Sequence, residues 1–145
     1  MNGLVQFLRA CLDEDEQAAR AAAEPEQWAK TNRTPQPNWS VQYWTDPDRA
    51  AVVAEGSSAC PVVVTTQGMD EADTEVRADH IARHDPARVL REVEAKRQII
   101  AEHDVYARKL ADRMDCQSLD FPCKTLRLLA LPYADHPDYQ PEWRP

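Results

Sequence analysis

The sequence predicts a single α+β domain over residues 1–145: a long central helix with N-terminal and C-terminal helices, a small antiparallel β meander and an extended aromatic C-terminal tail. Three observations carry this. From Asp85 onward, Val89, Val93, Ile100, Ala107, Leu110 and Met114 recur at three-, four- and seven-residue steps, the apolar stripe of an amphipathic helix. Between Trp39 and Thr66 the pattern changes to alternation and β-branched runs, which fit strands. After Leu131 the chain is rich in proline and aromatic residues, so it leaves regular structure while keeping side chains worth burying. A chain of this length supports one core without disulfides or metal.

In chain order, the first helix spans residues 1–23, with Leu4, Leu8, Cys11, Ala18 and Ala22 on its inner face and Asn2 available as a cap. Its acidic run Asp13 to Glu16 reads as a solvated face rather than a cation site. Lys30 to Asn38 reads as a loop through Pro35 and Pro37. The meander occupies residues 39–66. Trp39, Val41 and Tyr43 alternate with polar residues, Ala51 to Glu55 forms a second strand, and Pro61 to Thr66 with three valines forms a third. Three strands lying on the long helix make a stable unit where two alone are marginal. Trp28, Trp39, Tyr43 and Trp44 are read as rings packing the sheet rather than lining a ligand site.

Residues 71–114 form the helical region. Asp85 caps the long helix and Pro86 stands at its first position, where a missing N–H costs nothing. Glu92 and Lys96 add an i,i+4 pair, and a break near His103-Asp104 is compatible with the unusual length. Residues 121–131 are a short helix opened at Asp120 or Phe121 with Pro122 near its first position, and residues 132–145 an ordered tail laid along the body.

Composition narrows the function classes. A net charge of −8 argues against nucleic acid, because phosphate contacts need clustered Lys and Arg, and it favours a protein partner. Apolar runs are too short to span a membrane, and no basic-then-apolar leader opens the chain, so the expected location is cytoplasmic. Cys11, Cys60, Cys116 and Cys123 are then expected to be reduced thiols. With only three glycines, no phosphate-cradling loop forms.

The candidate metal ligands are His80, His84, Cys116 and Cys123, with His103 as a rival. His80 and His84 share a helix face at i,i+4, and zinc takes neutral imidazole and thiolate. The Cys116–Cys123 spacing is looser than structural zinc sites use, and the plainer account makes His84 a helix terminator and Cys123 a small buried residue. No tightly held metal or other cofactor is therefore expected. Cys123 has no histidine beside it in local sequence, which leaves nucleophilic catalysis unsupported. Arg83, Arg88 and Arg91 read as a salt-bridged surface.

Long phrases of the chain resemble a known family. His80-Ile-Ala-Arg-His-Asp-Pro-Ala-Arg-Val-Leu-Arg-Glu-Val-Glu-Ala-Lys-Arg97, the stretch from Pro122 to Tyr139 with its Leu129-Ala-Leu-Pro-Tyr-Ala-Asp-His-Pro-Asp-Tyr139, Glu142-Trp143 and the opening Phe7-Leu-Arg-Ala-Cys-Leu are similar to short uncharacterised actinobacterial and actinophage proteins. Residues 25–75 match poorly. The resemblance implies membership and no activity. Many such proteins carry Cys-x-x-Cys where this chain has Cys116-Gln-Ser-Leu119, so a zinc held there in relatives would lack one ligand here. The resulting expectation is a non-enzymatic interaction or accessory protein of phage or mobile-element origin. The alternative is a small zinc-binding protein with a metal-stabilised C-terminal region, and an enzyme remains only as a residual class.

Overall fold

Four helices and a three-stranded sheet make up the regular structure of the computed structural model, which describes residues 3–24, 36–43, 50–55, 62–65, 71–111 and 122–145. In chain order these are α1 (Gly3–Ala23), β1 (Trp39–Tyr43), β2 (Ala50–Ala54), β3 (Val62–Thr65), α2 (Glu71–Arg83), α3 (Pro86–Ala111) and α4 (Lys124–Ala130), followed by 3-10 turns at Leu131–Tyr133 and Pro141–Trp143. The class is α+β, as predicted. The chain divides into two units, Glu16–Arg91 and Met1–Asp15 with Glu92–Pro145, so that α1 and α3 each contribute to both.

In the unit Glu16–Arg91 the strands form an antiparallel sheet in the order β1-β2-β3. Val41 stands opposite Val52 and Trp39 opposite Ala54, and the β2–β3 register shifts between Val52 and Val53. All five residues of β2 are buried, as expected of a central strand made only of alanine and valine. Ala50 and Val52 pack against Ala78 of α2, with Trp39, Val41, Ile81 and Ala82 around them. The covering helix on this face is α2, where the sequence reading assigned the long helix. Ala78, Ile81 and Ala82 are small or isolated apolar residues, so α2 approaches the sheet closely without showing a conspicuous stripe in sequence.

Asp85 fixes the junction. Its Oδ1 accepts the Arg88 N–H at 2.7 Å, the N-cap bond the sequence predicts, and Pro86 opens α3. The same carboxylate accepts the Trp39 N–H at 3.4 Å, and Ala87 N–H donates to the Pro37 carbonyl at 3.0 Å. Asp85, lying before a proline, is held out of the helical conformation, which separates α2 from α3. On the other side of the sheet entry, Gln36 N–H caps the end of α1 by donating to the Ala23 carbonyl at 2.7 Å.

In the second unit, Leu4, Val5, Phe7, Leu8, Cys11 and Leu12 of α1 are buried, together with Val93 and Ile100 of α3, Leu126 and Ala130 of α4, and Trp143. Val93 and Ile100 lie seven residues apart, so both fall on the stripe read from sequence. The α3 backbone stays helical through His103 and Asp104 for 26 residues, so the break entertained there does not occur. At about 1.5 Å per residue it is about 39 Å long. Met114 lies outside the described residues.

Two expectations about the C-terminal region are corrected. The last α-helix begins at Lys124, with Pro122 and Cys123 outside it, rather than at Asp120 or Phe121 with Pro122 near its first position. The tail is not extended. Ala134, His136, Tyr139, Trp143 and Arg144 each donate their N–H three residues back, giving a succession of tight turns. Pro132 and Pro141, with φ held near the helical value by the ring, sit at the second and first residues of the two 3-10 turns.

Candidate functional site

A repeat of three residues per turn brings side chains at i, i+3 and i+6 to one side. Tyr133, His136 and Tyr139 have that spacing, and their rings stand edge-on to Phe7 of α1 with centroids at 6.3, 5.4 and 6.0 Å. Trp143 lies tilted against Phe7 at 5.0 Å, and its ring also meets Gly3, where an added Cβ would stand 3.7 Å from Cζ2. The phrase from Leu129 to Tyr139 thus forms an aromatic enclosure around one phenylalanine.

The acidic run holds this enclosure in place. Tyr133 donates its hydroxyl to Asp15 at 2.6 Å, His136 Nε2 lies 3.8 Å from Glu14, and Lys96 Nζ stands 5.8 Å over the Tyr133 ring. Asp13 is paired with Arg97 of α3, and within the other unit Glu16 is paired with Arg20 one turn along. Asp13 and Glu14 are exposed, as the reading of a solvated face expects, and each of the four acids also has a partner. Burial, then the bond to Asp15, push the Tyr133 hydroxyl well above its usual range. Burial, with Glu14 and Asp15 nearby, pushes the Cys11 thiol up to about 11, so at neutral pH it is an inert apolar side chain.

The predicted ligands fall into two pairs in different units. His80 and His84 close α2, with ring centroids 4.4 Å apart and both side chains exposed. His84 Nδ1 lies 2.8 Å from the His80 carbonyl, so that nitrogen donates and terminates the helix. His103, on α3, and Cys123, at the N-cap position of α4, meet with Nδ1 and Sγ 3.2 Å apart, partly buried. Sequence reasoning placed no histidine beside Cys123. The partner is 20 residues away, carried on α3, whose helix continues through His103. Cys116 lies outside the described residues. Among those described, no three His, Cys, Asp or Glu side chains converge as a metal-holding group.

Elsewhere, Arg88 donates to the Arg83 carbonyl at 3.3 Å, which occupies part of the basic stretch. A pocket of about 280 Å³ is lined by Arg9, Asp13, Arg97 and Ile100. It lies at the small end of the range for ligand sites, and the Arg97–Asp13 pair is part of its wall. No described helix is long and apolar enough to cross a membrane.

These features belong to a small α+β protein whose N-terminal helix is clasped by an aromatic C-terminal segment. The chain is a member of a family of unknown function, DUF6221, whose model matches residues 1–145. No curated protein and no solved structure matches it.

Proposed function

We propose that this is a non-enzymatic interaction or accessory protein, cytoplasmic and acting as one domain over residues 1–145, which binds a protein partner through its C-terminal region. The observation that carries the reading is the outer face of α4 and the turn after it. Leu126 and Ala130, at i,i+4, are buried, yet Leu128 and Leu131, at i,i+3, remain 48% and 41% exposed. An apolar pair left partly facing solvent, on a segment whose inner face is already filled, gives a partner apolar contact. The origin in phage or mobile elements follows from the resemblance noted above.

The test compares the wild type with the double variant Leu128→Asp, Leu131→Asp in crosslinking and affinity capture from the native host. Both side chains are only partly exposed, so melting of the variant beside the wild type separates lost capture from lost stability. A partner retained by the wild type and lost by the variant supports the reading. Equal capture by both proteins removes it.

A second reading, a small zinc-binding protein with a metal-stabilised C-terminal region, draws support from the approach of Cys123 to His103. Its sequence-derived ligand set is His80, His84, Cys116 and Cys123, and zinc content after purification without added metal tests it.

A further inference from the structure

We propose that Cys123 is a covalent modification site, a thiol that exchanges with low-molecular-weight disulfides, and that His103 is the base that takes its proton. The interaction reading assigns no chemistry to this pair, so the two stand or fall separately.

The thiols among the described residues are Cys11 and Cys123, and their surroundings differ in kind. Cys11 is 2% exposed, and burial, with Glu14 and Asp15 nearby, keeps it protonated, so it is closed to a reagent in both access and charge. Cys123 is only partly buried, and its Sγ stands 3.2 Å from His103 Nδ1. A thiol has one proton to donate, and a neutral imidazole with its proton on Nε2 has a lone pair on Nδ1 to accept it. The separation lies within the reach of about 2.6–3.2 Å at which a base serves a nucleophile. The backbone aims the sulfur. Cys123 occupies the N-cap position with φ −62° and ψ 159°, yet its side chain makes no capping bond, so Sγ is left to the imidazole. Its carbonyl accepts the Arg127 N–H at 3.2 Å, and the Pro122 carbonyl accepts Arg127 Nε–H at 3.0 Å, which holds the segment that presents it. His103 is carried on the continuous helix α3, so nucleophile and base both stand on ordered backbone.

The thiolate is the attacking form of a cysteine. His103 takes the proton as Cys123 Sγ attacks one sulfur of the disulfide. The bond from Sγ to that sulfur forms and the disulfide's own S–S bond breaks. The departing sulfur leaves as a thiolate and takes a proton from His103 or from water. Cys123 is thereby oxidised and the released thiol is the reduced product, so the small disulfide is itself the oxidant. A second free thiol reverses the step by the same exchange.

The experiment incubates the full-length protein, reduced and treated with chelator, with glutathione disulfide at pH 7. Alkylation stops the reaction at set times, and peptide mass spectrometry reads the mixed disulfide at each cysteine. The same rate in the chain unfolded with guanidinium gives Cys123 without its base. A thiol in an unfolded chain is only a few per cent thiolate near neutral pH, which leaves room for a positioned base to raise the rate by ~10-fold. Folded wild type is expected to form the Cys123 adduct faster than the unfolded chain by that factor. His103→Ala and His103→Asn should each bring the folded rate down to the unfolded value or below it. Cys11 serves as the internal readout of folding, since it is reached only when the core opens. Its continued protection in the variants separates loss of the base from loss of the fold. A folded Cys123 that reacts no faster than in the unfolded chain overturns the proposal, whatever the variants do. So does a fast folded rate that persists in both His103 variants.

Discussion

Asp85 illustrates how much one residue can fix. Its two carboxylate oxygens serve different elements, Oδ1 the first turn of α3 and Oδ2 the start of β1. The capping half was legible because Asp-Pro at the head of an apolar stripe has a local mechanism. The strand half was not, because it joins residues 46 positions apart and no local pattern encodes that. Asp85→Ala should lower stability by about 1 kcal/mol from the cap alone, and Asp85→Ser should recover most of it. Denaturant melts of the three proteins check this. Indistinguishable midpoints for wild type and Asp85→Ala would mean that the cap bond carries no net weight. The same limit on local reading applies to His103 and Cys123. Each was visible as a candidate, and no local pattern shows that they meet across 20 residues.

At the scale of elements, strong periodicity was readable and weak periodicity was not. The stripe of α3 and the three strands appear where alternation and β-branching place them. The role of α2 was hidden, because its contact with the sheet uses Ala78, Ile81 and Ala82 while Val76, on the same helix, is 69% exposed. Reading the tail as extended takes its prolines for signs of irregularity. Here they set tight turns, and the period of three among Tyr133, His136 and Tyr139 was the available signal. Phe7 is where α1 meets this segment, with four rings against it. Phe7→Ala should cost about 3–5 kcal/mol, as for other buried aromatic side chains. It should also speed hydrogen exchange at the amides of Ala134, His136, Tyr139 and Trp143, whose turns depend on that packing. Unchanged exchange there, with stability lost elsewhere, would show that the turns hold without the ring.

At the scale of the whole molecule, charge is the property with the clearest consequence. The chain carries 25 acidic against 17 basic side chains, a net −8. Nucleic-acid affinity comes chiefly from Lys and Arg neutralising phosphates, and an acidic protein meets a polyanion with repulsion before any contact forms. Several of the basic residues in view are committed to bonds within the fold. Arg97 is paired with Asp13, Arg20 with Glu16, Arg88 donates to the Arg83 carbonyl and Arg127 to that of Pro122. Releasing such contacts to reach phosphates would add their loss to the repulsion. The expected outcome is no binding to duplex DNA at ~0.15 M salt, measured by anisotropy of a labelled oligonucleotide, with Kd weaker than the ~10⁻⁴ M end of ordinary non-specific binding. Lowering the salt should bring little gain. A Kd in the micromolar range that tightens steeply as salt falls, and that Arg83→Ala and Arg91→Ala weaken, would show instead that the basic stretch around the start of α3 acts as a concentrated field despite the acidic whole.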